Sequence, residues 1–200
     1  MKSHVQSALR NFSNGCDRAQ GLCSIHRYLK GAAPVAMDCD DILRSSVVLA
    51  VSSFDLFIHD LYRTEVVHRF ISKKSSAGLK IPFDAGFLAG SLQTSAIDEQ
   101  IRLENSYKSF VAPDKLSECL RPLIEKPWEK ISTILGVPAP DSKARLKSIV
   151  GLRNRIAHEG DVNPALGGID LWPIYSEDVQ ASVEFLRILG VAVAEVVDNA

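Results

Sequence analysis

Apolar side chains recur along this 200-residue chain at alternating steps of three and four, and this spacing restricts the fold more than any other feature. Such steps place side chains on one face of an α-helix, whereas a half-buried strand needs strict alternation. Two long stretches show the helical pattern without a proline, one over residues 3–30 and one from about residue 41 to about residue 73. The sequence therefore predicts an all-α helical bundle.

The first and last helices have clear apolar faces. The face of the first helix consists of Val5, Leu9, Phe12, Cys16, Ala19, Cys23 and His26. We interpret His26 as a core histidine near the helix end rather than as a ligand. Ser176 is predicted to cap the last helix, with Glu177 and Asp178 in its first turn, where carboxylates suit the positive end of the helix dipole. Its Gly190 could let another helix approach closely.

The second helix is predicted to begin at the acidic cluster Asp38, Asp40 and Asp41, because carboxylates cap the free amides of a helix start. After this helix, residues 73–82 are rich in Lys, Ser and Gly and are predicted to form a loop. The length suits one domain spanning residues 1–200. Within it, residues 75–140 are an inserted or elaborated region of shorter helices.

The shorter helices carry start signals of their own. Ser95 and Asp98 resemble a capping box, and Pro113 suits the first turn of the next helix. Asp141 or Ser142 is predicted to cap the helix that precedes the last one.

The cysteines give no metal-site pattern. They are Cys16, Cys23, Cys39 and Cys119. Cys23 and His26 have Cys-x2-His spacing, but no second pair completes a zinc site. Buried thiols are the common case on helix faces. We therefore predict reduced, structural cysteines, no metal ligands and no cofactor.

The net charge of −1 excludes a polycation, but the charges are unevenly distributed. Residues 143–155 contain five basic side chains and no acid, whereas residues 159–200 contain eight acids and one base. A local cationic strip can attract a polyanion. The alternative is a solvated basic helix whose charges suit its C-terminal dipole.

Neither end of the sequence predicts a membrane segment. The first residues lack the apolar stretch of a secretory signal, and residues 183–197 contain three charged side chains. The expected compartment is the cytoplasm.

The segment from Arg153 to His158, Arg-Asn-Arg-Ile-Ala-His, combines fixed cations, an amide and an imidazole near the predicted end of a helix. Imidazole exchanges protons near neutral pH, and the planar fork of a guanidinium matches two phosphate oxygens. Cleavage of RNA by its own 2′-hydroxyl needs proton transfer and stabilisation of the phosphorane, and it needs no metal ion. The segment therefore suits a nucleolytic site acting on RNA.

The spacing within this segment presents a geometric difficulty. In a straight helix Arg153 and His158 are about 140° apart, whereas Asn154 and His158 share a face. The arginine and the histidine can converge if the helix ends near His158. Alternatively, a second copy of the chain supplies one of them across a two-fold axis.

A polar stripe on the second helix contains Asp55 and His59, which are four residues apart and could touch. A stripe of this kind faces solvent or an interface in most amphipathic helices. The alternative hypothesis is that Asp55 or His59 borders the site of Arg153 and supports its geometry.

The pattern Arg-Asn-x3-His, in the helix before the last one, resembles the Arg-x4–6-His signature of HEPN-domain proteins. The acidic start of a long helix, with the run from Phe54 to Leu61 inside it, agrees. The resemblance covers about residues 1–74 and 141–198 and is to the RiboL-PSP or the related MAE subgroup. It implies a HEPN-like antiparallel bundle, with extra short helices between the long second helix and the motif helix.

The family resemblance also implies a function. HEPN proteins of this kind are dimeric, metal-independent endoribonucleases of toxin–antitoxin, antiphage or stress systems. By position, Arg153 and His158 would be catalytic, and Asn154 would orient them or bind phosphate. Arg155 and Lys147 are candidate RNA contacts, although the family does not fix the position of Arg155. RNA, a second copy of the chain, and an antitoxin or a fused or associated effector are the expected partners.

Two other interpretations remain open. His158 and the neighbouring arginines could simply suit the C-terminal dipole of their helix. The chain could also be a non-catalytic RNA- or protein-binding module, or a helical scaffold that binds no RNA.

Overall fold

The computed structural model describes residues 1–32, 38–72, 90–166 and 170–200, and this part of the chain is almost entirely helical. Its helices are α1 (Ser3–Ala32), α2 (Asp40–Ile71), α3 (Gly90–Asn105), α4 (Pro113–Leu120), α5 (Pro127–Leu135), α6 (Ala139–Glu159) and α7 (Ser176–Asp198). A short 3-10 turn (Pro164–Leu166) and an isolated bridge between Val162 and Leu171 lie between α6 and α7. The all-α prediction is confirmed.

Helices α1 and α2 form the largest helix pair, and α7 packs against both. Both predicted spans are confirmed to within two residues. The predicted apolar face of α1 is buried, apart from Leu9, which is partly buried against the core. The spacing of apolar residues therefore predicts which side of each long helix faces the core.

Phe12 of α1 is the centre of the core between these three helices. Its ring stacks on Phe57 with centroids 5.0 Å apart and meets Phe54 edge-on at 5.7 Å. Gly190 of α7 lies against the same ring, where an added Cβ would overlap the ring atoms. The expected close approach at Gly190 is thus an approach of α7 to Phe12.

Helix α2 is the central element, because it contacts α1, α3, α4, α6 and α7. It is the one described helix whose length and apolar composition would allow it to cross a membrane. Half of its most apolar window is buried inside the protein, as expected for a core helix.

The short helices α3 to α5 occupy the predicted inserted region. Pro113 and Pro127 stand at the first positions of α4 and α5, where a missing N–H is tolerated. The expected capping box at Ser95 and Asp98 is wrong, because α3 already begins at Gly90 and Asp98 instead pairs with Arg63 of α2. The loop predicted over residues 73–82 lies outside the described residues.

All four cysteines are buried with free thiols, as predicted. The thiol of Cys23 and the hydroxyl of Ser46 form a hydrogen bond of 3.3 Å. His26 is buried, and its Nε2 lies 3.1 Å from Oδ1 of Asp40. The sequence neighbours Cys23 and His26 therefore have separate partners.

Candidate functional site

The segment from Arg153 to His158 lies entirely within α6, which runs without interruption to Glu159. The helix begins at Ala139 after Pro138, so the predicted caps Asp141 and Ser142 both lie inside it. It ends at Gly160, whose φ of 61° places it in the left-handed region that glycine adopts easily. The whole segment therefore keeps helical geometry.

Arg153 continues the buried face of α6. At about 100° per residue, it lies about 20° from Leu146 and about 40° from Ile149, both of which are buried. Arg153 itself is partly buried. Its Nε atom is inaccessible to solvent and has no hydrogen-bond partner among the described residues. A guanidinium in this position can bind an anion without first breaking an ion pair.

Asn154 and His158 lie on an exposed side of α6, about 100° and about 140° from Arg153. They are about 40° apart, and the exposed Lys147 falls between them in the same projection. We call the side that presents Lys147, Asn154 and His158 the open face of α6. It offers an imidazole, an amide and an ammonium group to whatever approaches the helix.

Arg153 and His158 leave α6 in different directions. The helix ends only after His158, so the two side chains keep a separation of about 140° and about 7.5 Å along the axis. The helix ends within two residues of His158, as expected, and convergence of the two side chains within one chain stays a prediction. The alternative of a second copy remains a prediction.

Arg155 is engaged by the turn that follows α6. Its Nε donates to Oδ1 of Asp161 at 2.5 Å, and its guanidinium lies over the Trp172 ring at 5.1 Å. Asp161 is completely buried, and its Oδ2 accepts from Nε of Arg44 at 2.7 Å. Arg155 thus supports the fold through its Nε, and its contact with RNA stays a prediction.

The Asp161 carboxylate joins α6 to the start of α2. Arg44 completes this link by donating through Nη2 to the Trp172 carbonyl at 2.7 Å. The backbone N–H of Asp161 donates to the carbonyl of Arg155 at 3.1 Å and closes the end of α6. Asp161 has a φ of 56°, which aspartate tolerates better than most residues. We call Arg44, Arg155, Asp161 and Trp172 the Asp161 clamp.

A family model described as RiboL-PSP-HEPN matches residues 34–199, which include α2 to α7 and the whole motif. The chain belongs to the RiboL-PSP-HEPN family. No curated protein and no solved structure matches the chain. The predicted family is therefore confirmed. The match includes residues 75–140, which lie outside the resemblance seen in the sequence, but not residues 1–33.

The basic strip of this HEPN chain is not one surface. Its five cations point in different directions around α6, because residues 143, 145, 147, 153 and 155 are spread around a helix of 3.6 residues per turn. Lys143 lies 5.7 Å from the Trp128 ring centroid, and Arg145 donates to the Ala181 carbonyl and lies over Phe185. Of the five, Lys147 alone is exposed on the open face beside Asn154 and His158.

Asp55 and His59 do touch, with Nε2 of His59 3.7 Å from Oδ1 of Asp55. Asp55 accepts the backbone N–H of Phe110 at 2.8 Å, and His59 lies 3.2 Å from the Lys108 carbonyl. Both residues therefore hold the segment between α3 and α4 against α2. The structure shows no contact of either residue with Arg153 or His158.

An open cleft lies between α2 and the end of α6. Its volume is about 580 Å³, and its lining consists of Asp41, Arg44, Ser45, Val48, Leu49, Ser52, Ile156 and Gly160. Val48, Leu49 and Ile156 supply the aliphatic part of this lining, and Arg44 of the Asp161 clamp also belongs to it. This cleft is large enough for a nucleobase beside the motif.

Sequence reasoning missed Arg44 and Asp161. Arg44 and Asp161 are 117 residues apart, so no local pattern joins them. The available signal was Asp161 itself, an acid directly after the glycine that ends α6. At the motif the described residues hold no group of three metal-binding side chains, because the one such group lies at the junction of α1 and α2.

Proposed function

We propose that this protein is a metal-independent endoribonuclease whose site is completed by a second copy of the chain. The observation that carries the proposal is Arg153 near the end of the motif helix, a partly buried cation whose Nε has no partner in residues 1–32, 38–72, 90–166 and 170–200. A buried charge without a partner is unfavourable, so the fold keeps Arg153 available for an anion. A phosphodiester supplies that anion.

His158 is suited to the proton transfers of the reaction. Its imidazole takes the proton of an RNA 2′-hydroxyl, and the 2′-oxygen attacks the adjacent phosphorus. Arg153 stabilises the phosphorane through its planar donors, and Asn154 orients the phosphate or the imidazole. The bond between phosphorus and the 5′-oxygen then breaks, and that oxygen takes the proton that the imidazole removed, which returns His158 to its neutral form. The products are a 2′,3′-cyclic phosphate and a 5′-hydroxyl.

A homodimer solves the geometric difficulty within α6. Arg153 and His158 of one chain lie about 140° apart, whereas a two-fold axis beside α6 would bring Arg153 of one chain near His158 of the partner subunit. The open face carries Lys147, Asn154 and His158 without a covering element among the described residues. Lys147 then contacts the RNA backbone outside the reacting phosphate.

The family suggests the biological setting. We propose a cytoplasmic role in a toxin–antitoxin, antiphage-defence or stress-response system. An antitoxin or an associated effector protein is then the expected further partner.

Cleavage without metal tests the catalytic proposal. Single-stranded RNA is incubated with the purified protein in excess EDTA, and the product ends are identified. We expect Arg153→Ala to lower the rate by about 100- to 1,000-fold and His158→Ala by about 100- to 10,000-fold. Glu159→Ala, exposed at the same helix end, is the matched control and should retain the wild-type rate. A requirement for added metal would contradict the mechanism.

Mixing two inactive variants tests the second copy. Chains with Arg153→Ala and chains with His158→Ala are co-expressed, so that half of randomly paired dimers contain one of each. A composite site then regains about one quarter of the wild-type activity, because each mixed dimer has one intact site. A site within one chain regains none. Sedimentation that shows only a monomer at high concentration would also reject the dimer.

A non-catalytic binding module is the second candidate. It is favoured by the separation of Arg153 and His158 in the single chain, which leaves each able to bind but not to cooperate. In this case RNA binding would weaken steeply with salt, and no cleavage would occur in either the wild type or the mixed variants.

A further inference from the structure

Three potential metal ligands meet where α1 and α2 come together. His26 lies in the second-last turn of α1, and Cys39 and Asp40 stand at the start of α2. Their donor atoms all lie within 4.8 Å of one another. His26 and Cys39 are 6% and 7% exposed, whereas the Asp40 side chain is 31% exposed. The group is therefore sheltered on two sides and open to solvent through Asp40.

The residue at position 39 has no evident capping role. It occupies the N-cap of α2, where Ser, Thr, Asp or Asn usually accepts a backbone amide, but its thiol makes no capping hydrogen bond. Asp38 instead accepts a hydrogen bond from a free amide at the start of α2, because its Oδ1 lies 3.0 Å from the N–H nitrogen of Asp40. The thiol of Cys39 is thus available for another purpose.

The distances suit a shared ion. Nε2 of His26 and Oδ1 of Asp40 are 3.1 Å apart. Two nitrogen or oxygen ligands at about 2.0–2.1 Å from a tetrahedral ion stand about 3.3 Å apart, so this pair needs almost no movement. A thiolate at about 2.3 Å would lie about 3.6 Å from each of them, which rotation of the Cys39 side chain can approach.

The protein itself satisfies only part of the imidazole. Nδ1 of His26 is buried and has no hydrogen-bond partner among the described residues. A core histidine held only for packing would be expected to have both ring nitrogens satisfied. With the ion on Nε2, Nδ1 keeps no partner in the described part of the chain, so the proposed site rests on the geometry of the three donor atoms alone.

Lys30 is the competitor for this position. Its Nζ lies 3.2 Å from Oδ1 of Asp40, and its side chain is 48% exposed. A bound cation would displace the ammonium group, which can move into solvent without opening the core. Lys30 therefore lowers the affinity of this group for a cation but does not prevent binding.

We propose that His26, Cys39 and Asp40 bind a zinc ion that joins the end of α1 to the start of α2. Thiolate, imidazole and carboxylate are the donors that zinc prefers, and water completes the fourth position. Binding releases the thiol proton to solvent, so that the ion is held by a thiolate. This site lies outside the motif and does not depend on nuclease activity. It also departs from the sequence analysis, which predicted no metal ligands.

Cobalt(II) titration of the reduced, EDTA-treated full chain tests the proposal without RNA. A thiolate bound to cobalt gives an intense near-ultraviolet charge-transfer band, and a tetrahedral site gives visible bands. We expect both at one cobalt per chain, and we expect zinc to remove them by displacement. The absence of a charge-transfer band at saturating cobalt would overturn the proposal.

Variants separate the site from general damage. Cys39→Ser should remove the charge-transfer band, whereas Cys119→Ser, with a cysteine that is 6% exposed on α4, should retain it. Lys30→Ala should tighten cobalt binding by up to about fivefold, the size of an exposed ion pair. Structural damage cannot produce tighter binding. A charge-transfer band that survives Cys39→Ser, or weaker cobalt binding in Lys30→Ala, would show that the ion is bound elsewhere.

Discussion

The two arginines near the end of α6 have opposite environments, although only one residue separates them. Arg155 is paired with a completely buried carboxylate and covered by Trp172, whereas Nε of Arg153 is buried and finds no partner in the described part of the chain. Residues that are two positions apart lie about 200° apart around a helix, so the two side chains face different neighbours. The comparison shows that helix face, rather than residue type, separates the structural cation from the available one.

The largest expected effect on stability comes from removing the negative charge of Asp161 in the Asp161 clamp. Asp161→Asn keeps the side-chain shape and tolerates the positive φ, but it removes the buried counter-charge of both Arg44 and Arg155. Arg155 then has no counter-charge in the clamp, and Arg44 keeps only the exposed Asp41. We expect the free energy of unfolding to fall by about 3–5 kcal/mol. Urea denaturation measures the change.

Asp41→Asn is the matched control for the clamp. Asp41 also contacts Arg44, at 3.3 Å, but its side chain is 85% exposed. Its loss should cost less than about 1 kcal/mol. Equal losses in the two variants would show that burial does not distinguish these pairs.

Methionine at either arginine position tests the contrast directly. Arg153→Met replaces an unpaired cation by an apolar side chain of similar length, and we expect the free energy of unfolding to rise by about 1 kcal/mol. Arg155→Met should lower it by about 1–3 kcal/mol, because Asp161 loses one of its two charged partners. Thermal and urea unfolding of both variants give the signs. A loss of stability in Arg153→Met would mean that Arg153 supports the fold.

Inorganic phosphate should stabilise the wild type through Arg153. At a phosphate concentration ten times its dissociation constant, the expected gain is about 1.4 kcal/mol. The gain should disappear in Arg153→Met and persist in Lys147→Met, whose ammonium group lies on the open face. Melting temperatures measured at constant ionic strength separate this binding from general salt effects. An equal gain in all three proteins would place the anion elsewhere.

The smallest effect concerns Gly151, an exposed glycine inside α6 with nothing within 4 Å of an added Cβ. In an isolated chain, Gly151→Ala should stabilise α6 by up to about 1 kcal/mol. Gly151 lies about 20° from His158 in projection, beside the open face. If a second copy covers this face, the methyl group should weaken the dimer instead. Unfolding at low and high protein concentration distinguishes the two results.

Much of the helical framework could be predicted from the sequence. Periodicity located α1, α2 and α7 because each buries one continuous apolar face. Pro113 located the start of α4 for local steric reasons, whereas α6 begins at Ala139, before the predicted caps Asp141 and Ser142. Helix α3 was misplaced, because the polar residues that suggested its start at Ser95 are used inside the helix. Local capping patterns cannot reveal such tertiary partners.

The motif was predictable as a list of residues but not as an arrangement. Arg153 could have been placed on the buried face, because it follows Ile149 by four and Leu146 by seven. The pairing of Arg155 with Asp161 could not, since it depends on Arg44 of a distant helix. The meeting of His26 with Cys39 and Asp40 likewise required the contact of α1 with α2.

The position of Phe12 has a consequence for where this domain can be cut. The family match starts at residue 34, yet α1 lies before it and places Phe12 between α2 and α7. A chain shortened to the matched residues would expose the apolar faces of both helices and would be prone to aggregate. The boundary of family similarity is therefore not the boundary of the folding unit.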